Sequence, residues 1–255
     1  MPDRREGVAE GAHVAQGAQL EAGVSVSPGA VIEGSVSIGA GTSVGPGAVI
    51  HAGTRVGSSS VIEACAVLGK RPRLREASQA PREEPGPLEI ESGATICAGA
   101  VVYAGAWIGS GAIIGDQAHV RERASIGAGS VIGRGSSIEF GVVVGARVLI
   151  QSDVYVTAGT IVEDDVFIGP GVVTTNDNTM GRHPPGVPAL GPVFGRACRV
   201  GGGSVLVPGV SIGAEAFVAA GAVVTRDVVA GAVVIGAPAR VVRSVPDEDL
   251  LDRWR

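Results

Sequence analysis

Large rings are scarce here: two Trp, two Tyr and four Phe among 255 residues. A chain this poor in aromatics cannot build an ordinary core around them; it needs a narrow interior filled by medium aliphatics. Cysteine is equally thin. Cys65, Cys97 and Cys198 are odd in number and lack metal or redox spacing, so the expectation is three buried, reduced thiols and no disulfide framework. His13, His51, His119 and His183 are scattered, without the set spacing a zinc centre needs, and no metal is expected. A net charge of −5 and a pI near 5.4 argue against nucleic acid as a general partner. No apolar run reaches the length of a membrane span, and the start, Pro2-Asp3-Arg4-Arg5-Glu6, is charged with no apolar stretch behind it. No signal peptide, no membrane association and a cytoplasmic location are the expectations.

What the sequence has instead is a count of six. An aliphatic stands at Val14, Leu20, Val26 and Ile32, and at every sixth residue to Leu68; the count resumes from Ile90 to Ile168 and again from Val200 to Val224. Neither an amphipathic helix nor an ordinary alternating strand has that period, and a parallel β-helix of hexapeptide repeats does. The residue two before the marked aliphatic is mostly Ala, Val, Thr or Ser, as at Ala12, Ala30, Thr42, Ala48, Ala100 and Ala112, which suits a narrow turn. The fold expected is all-β: a parallel β-helix of about ten coils, three hexads to the coil, forming a single domain over residues 1–255.

Two segments break the count. Residues 69–89 and 175–199 are Pro-bearing and charged, and read as loops extruded from the coil wall; loops of such length in a compact domain are usually functional or disordered. After Val224 the period loosens, and residues 246–255 read as a short amphipathic helix with an acidic first turn and a basic last one.

Positions 18 apart stack on one edge, and the position after each inward aliphatic is a corner where Gly is the easy choice. One corner avoids it. Two of the three carry mostly glycine, such as Gly109, Gly127, Gly115 and Gly133, whereas the third carries Tyr103, Arg121, Glu139, Thr157 and Thr175. Glu122 and Asn176 follow this corner, and His119 and Tyr155 precede it at positions that point outward. Polar, charged and aromatic side chains thus converge on one edge beside the second loop, and a ligand groove is expected there.

The motifs resemble the left-handed β-helix acyltransferases, most closely the bacterial N-acetyltransferases that act on the 3-amino group of dTDP-linked 3-amino-3,6-dideoxyhexoses. The resemblance rests on Gly69-Lys70-Arg71-Pro72, Val120-Arg121-Glu122, Tyr155-Val156-Thr157-Ala158, Thr174-Thr175-Asn176-Asp177-Asn178-Thr179-Met180-Gly181-Arg182 and Gly236-Ala237-Pro238-Ala239-Arg240. It implies a left-handed helix, a homotrimer with active sites between subunits, and acetyl-CoA as acyl donor. Glu139 and Asn176 would hold the sugar and Asp177 would sit at the amine, with Arg121, Glu122, His119, Tyr155 and Asn178 around them. Backbone near Ala219, Ala220 and Gly221 would line the pantetheine channel, and Arg226 and Arg240 would meet CoA phosphates.

Many relatives use a histidine base, because an imidazole titrates near neutral pH. In Ala118-His119-Val120-Arg121-Glu122 the place of the lipid A O-acyltransferases' catalytic His is taken by Glu122, so His119 reads as a groove or surface residue. The scheme that fits is a neutral sugar amine oriented by Asp177, its proton passing to the departing thiolate or water. The competing readings are an O-acyltransferase of the lipid A or serine type and a non-catalytic sugar-binding scaffold.

Overall fold

The computed structural model describes residues 6–75, 78–184, 187–188 and 190–254; the charged start at residues 2–5 and the terminal Arg255 lie outside them. The chain winds through three sheets of eleven, ten and twelve strands, parallel throughout except for the last strand of the third. Most strands are only two residues long, because the chain must turn at every hexad. We call the sheets face one (His13–Val14, Val31–Ile32 and their stack), face two (Gln19–Leu20 onward) and face three (Ser25–Val26 onward). Each register step is one coil: His119 sits on Val101 and under Ser137, and Ser137 under Tyr155.

The marked aliphatics form the core. Ile32, Ile50, Ile96, Ile114, Ile132 and Ile150 are completely buried, and their outward neighbours alternate with them along each strand. No coil could bury its inward face alone, so the coils stabilise one another. Small polar residues in the interior are satisfied by the next coil up: Ser130 Oγ donates to Gly145 O (2.8 Å) and accepts from Val148 N (2.9 Å).

The corners explain where side chains can stand. At Gly109 an added Cβ would lie 2.7 Å from Ala128 N, and at Gly115 2.8 Å from Arg134 N, both in the next coil. Glycine is therefore favoured on those two edges. The edge between faces one and two is open enough to carry Glu33, His51, Tyr103, Arg121, Glu139, Thr157 and Thr175.

Four expectations change. The stack is slightly taller than ten coils, with eleven parallel strands on faces one and three. The second loop is shorter than 175–199, since Val193–Phe194 and Arg199–Val200 are strands of faces two and three. The six-residue count had continued through Thr174 and resumed at Phe194, two inward positions filled by residues other than aliphatics. At the C-terminus the chain forms two 3-10 turns, Asp247–Asp249 and Leu251–Arg253, and no longer helix. Before them Arg240–Ser244 turns back antiparallel on Ala232–Ile235 and ends the face-three sheet. Of the thiols only Cys198 is buried; Cys65 is exposed and Cys97 intermediate, because Cys65 falls in a turn and Cys97 on a corner, not at inward positions.

Candidate active site

Both loops leave from the same open edge. The first departs after Val67–Lys70 and returns at Glu89–Ile90; the second departs after Val173–Thr174 and returns at Val193–Phe194. They fold toward each other over the corners between them and meet where Gln79 Nε2 lies 2.9 Å from His183 Nε2. His183 Nδ1 is 3.0 Å from Pro184 O, which makes Nδ1 the donor and leaves Nε2 to accept from Gln79. The first loop is pinned by Arg123, whose guanidinium donates to Pro81 O (3.2 Å) and Glu83 O (2.8 Å).

Under the loops lies a cleft of about 1070 Å³. Arg121, Glu139, Tyr155 and Asn176 form its wall, Asp177 and His183 come from the second loop, and Arg75 and Gln79 from the first. Arg121 holds a two-pronged pair with the buried Glu122, Nε to Oε2 and Nη2 to Oε1, both 2.8 Å, and a looser contact with Glu139 Oε2 at 3.3 Å. Glu122 thus satisfies Arg121, and Glu139 keeps much of its own negative charge facing the cleft. Burial raises the Glu139 carboxyl above the ordinary carboxylate range, with Arg121 opposing and Glu122 adding to the rise. Burial, reinforced by Glu139, also raises the Tyr155 phenol, so it remains a neutral donor.

Asp177 is set differently. Its Oδ1 accepts from Thr179 N (2.7 Å) and Thr179 Oγ1 (2.6 Å), its Oδ2 from Gly181 N (2.6 Å). These bonds, the Thr179 hydroxyl first, lower its pKa to about 2. It is a fixed carboxylate that orders the loop, not a proton acceptor near neutrality. Asn176 Nδ2 donates to Ala158 O (3.1 Å), tying the loop's root to the preceding coil.

His119 stands behind this wall. Its ring packs edge-to-face on Tyr103 at 5.3 Å, and burial, then Lys70 and Arg121, hold its pKa below the ordinary value. It lines neither this cleft nor the smaller one described below. Asn178 is exposed on the second loop and also outside the cleft lining. Ala219, Ala220 and Gly221 turn the corner between faces three and one, a different edge, while Arg226 and the antiparallel strand's Arg240 are exposed near the end of the stack. Within one chain the structure brings Arg121, Glu139, Tyr155, Asn176 and Asp177 of the expected acceptor residues together but leaves the expected CoA residues apart from them. On the edge between faces three and one, Glu63, Cys97 and Asp116 each place a ligand-type atom within 4.8 Å of the others; their carboxylates both accept from Ala98 N (3.0 and 3.1 Å).

Residues 35–70 match the profile "Bacterial transferase hexapeptide (six repeats)", and residues 123–158 and 194–226 match "Hexapeptide repeat of succinyl-transferase". These three segments carry hexapeptide repeats of the bacterial transferase type. Over 48 residues the chain is 50% identical to the 2,3,4,5-tetrahydropyridine-2,6-dicarboxylate N-acetyltransferase of Staphylococcus aureus, a match to 19% of this chain and 20% of that one. The chain thus spans about a fifth of the length of the curated relatives it matches. It superposes over 96% of its length on 76% of an Arabidopsis UDP-N-acetylglucosamine acyltransferase, at TM-score 0.57 and 24% identity, a likeness of fold. A hexapeptide-repeat acetyltransferase of Vibrio cholerae, complexed with acetyl coenzyme A, aligns with 49% of this chain and 72% of its own at 29% identity and TM-score 0.43. Among the described residues no helix is long and apolar enough to cross a membrane.

Arg75, Gln79 and Arg123 were not singled out from the sequence, and His183 only as one of four scattered histidines. The signal was there: both insertions follow an inward residue of face one, at Leu68 and Thr174, so both had to emerge on one edge.

Proposed function

We propose that this hexapeptide-repeat protein is an acetyl-CoA-dependent N-acetyltransferase whose acceptor is the amino group of a nucleotide-linked 3-amino-3,6-dideoxyhexose, with dTDP as the nucleotide. The observation that carries the reading is the cleft under the paired loops, where Glu139, Tyr155, Asn176 and Asp177 offer hydrogen-bond partners and two carboxylates to an amino sugar. A non-catalytic coil stack has no reason to build it. Support for acetyl transfer to nitrogen comes from the Staphylococcus aureus relative, an N-acetyltransferase by name.

In this scheme the sugar binds against Glu139 and Asn176. Asp177, held as a carboxylate, draws in and orients the amine. The neutral nitrogen attacks the thioester carbonyl, the C–S bond breaks as the C–N bond forms, and the amine proton leaves with the CoA thiolate or to water. Holding the two reactants in line supplies a large part of the rate. His119 has no step.

A homotrimer completes the site. The CoA-binding residues Ala219, Ala220, Gly221, Arg226 and Arg240 then come from the chain next to the one that holds the sugar. The outward column of face three supports such an assembly, since Val61, Ile113, Leu149 and Phe167 remain 36 to 42% exposed there, with the half-buried Thr95 and Val131 between them. The test is thiol release from acetyl-CoA with and without dTDP-3-amino-3,6-dideoxyglucose. Release that depends on the amino sugar is expected. CoA-induced thermal stabilisation without release discards this acceptor, and neither binding nor release discards the enzyme reading.

A further inference from the structure

The open edge carries a second concavity, below the first, that the scheme above does not use. We infer that this smaller cleft is the diphosphate subsite for the nucleotide half of the acceptor, an inference that rests on the reading of the larger cleft as the sugar site.

The smaller cleft has a volume of about 470 Å³ and is lined by Glu33, His51, Lys70, Arg71 and Arg73 around Gly69. Three cations face one carboxylate there, in a chain whose net charge is −5. The carboxylate is already engaged: Glu33 accepts from Ala52 N (2.9 Å) and lies 3.1 Å from His51 Nδ1. Arg71 pairs with Glu84. Among the described residues Lys70 and Arg73 have no carboxylate partner; Lys70 packs its ammonium 5.5 Å over the Tyr103 ring. Two uncompensated cations in a concavity of about this size suit a phosphate or diphosphate, the Lys as a mobile point charge and the Arg as a planar fork.

Local structure fixes the cations at the rim. Gly69 has φ +73°, and a Cβ there would collide with Thr54 Oγ1, so only glycine lets the chain leave the coil at this point. Lys70 is bonded to the stack by register with Tyr103 and by its carbonyl, which accepts from Ala104 N (3.0 Å). From the Gly69 corner the edge climbs through Tyr103 and Arg121 to Glu139, three coil steps or about 14 Å at the usual strand spacing. Arg121, paired with Glu122, lies 5.4 Å over the same Tyr103 ring, so the ring links the two clefts along that climb. A sugar at Glu139 would therefore direct its anomeric diphosphate down the edge toward Lys70 and Arg73. The first loop supplies both ends of this track, Arg71 and Arg73 to the lower cleft and Arg75 and Gln79 to the upper.

CoA also carries phosphates, so the test separates the two sources. The whole chain is titrated calorimetrically with dTDP, with UDP and with CoA, as wild type and as Lys70→Ala/Arg73→Ala, with matching melting temperatures confirming that the variant is folded. The nucleoside diphosphate Kd is expected to rise about tenfold or more in the variant, the loss of charge-assisted contacts to phosphate, and CoA affinity to hold. Arg73→Lys, which keeps the charge but not the fork, should weaken binding less. Nucleoside diphosphate affinity that is the same in variant and wild type, no binding of either nucleotide to the wild type, or weakened CoA binding in their place overturns the subsite. Thiol release read separately keeps the two readings apart: release that survives with an unchanged Kd removes the subsite and leaves the acetyltransferase, while variant-sensitive nucleotide binding without release does the reverse.

Discussion

Replacing Thr174 by Val restores the residue type that the hexad rule asks for, and the structure says it will weaken the protein. Along face one each corner amide bonds to the carbonyl of the inward residue one coil on: Arg121 N to Ile138 O (2.9 Å) and Glu139 N to Val156 O (2.9 Å). The next amide breaks the pattern. Thr157 N donates instead to Thr174 Oγ1 at 2.7 Å, and that hydroxyl donates to Tyr155 O at 3.0 Å. Strand pairing stops there, with Tyr155 opposite Val173 and no pair beyond. The Thr174 hydroxyl replaces its own carbonyl as the chain tips outward into the second loop. Valine has the same shape, so no cavity opens; what is lost is the partner of a buried amide, a cost of about 1 to 3 kcal/mol. For a domain of this size each kcal/mol moves Tm by about 2 to 4 °C, giving a fall of roughly 2 to 12 °C by calorimetry. If the backbone instead re-pairs through the Thr174 carbonyl, the loop root shifts and the Asn176 contact with Ala158 O goes with it, so activity drops. A Thr174→Val protein with wild-type or higher Tm and intact turnover would refute the reasoning.

Further outcomes follow from the same geometry. His119→Ala should keep most of its kcat whereas Asn176→Ala and Asp177→Asn lose far more, by steady-state kinetics; a collapse in His119→Ala with CoA binding intact would return the imidazole to the mechanism. Asp177's pKa is depressed in the fold, so the loop order it provides is complete above the ordinary value of 3.8 and is lost as pH falls toward about 2. Amide hydrogen exchange at Thr179 and Gly181 should therefore gain in relative rate over that window, and Asp177→Asn should show the fast rate at every pH. Glu139 is raised, so it protonates at higher pH than a surface glutamate and the acid limb of kcat/KM should lie above the ordinary carboxylate range; an acid limb unmoved by Glu139→Gln would separate that carboxyl from the reaction. In native protein one thiol should react rapidly with a disulfide reagent, Cys65, because burial and nearby carboxylates push the Cys97 thiol up to about 11 and the Cys198 thiol up to about 12.

The period of six carried most of the fold, since a column from Val14 to Val224 leaves few ways to wind the chain. It failed where chemistry replaced shape. Thr174 fills an inward site because its hydroxyl serves the backbone, and Phe194 fills one beside the second loop, where the first inward side chain after the insertion is a ring, fully buried. Tyr103, Arg121, Glu139, Thr157 and Asn176 were legible as one edge because stacking at a fixed interval needs no tertiary knowledge. The pairing of Arg121 with Glu122, the tying of Asp177 to Thr179 and Gly181, and the Gln79 contact with His183 were not, because they depend on side-chain direction and on loops without a period. Cys65 and Cys97 were misplaced for a related reason: cysteine's preference for burial yields to the repeat position it occupies.

The two loops are rooted on one edge with several coils between them, and every coil is joined to its neighbours by the same ladder. Duplication or loss of one whole coil between those roots would leave the ladder intact and move one loop relative to the other by about 4.8 Å. An ancestral stack of this kind changes the length of acceptor it can span in whole steps, by copying a repeat, while point substitutions along the edge alter only which groups are recognised at each step. Reach and selectivity are thereby inherited separately.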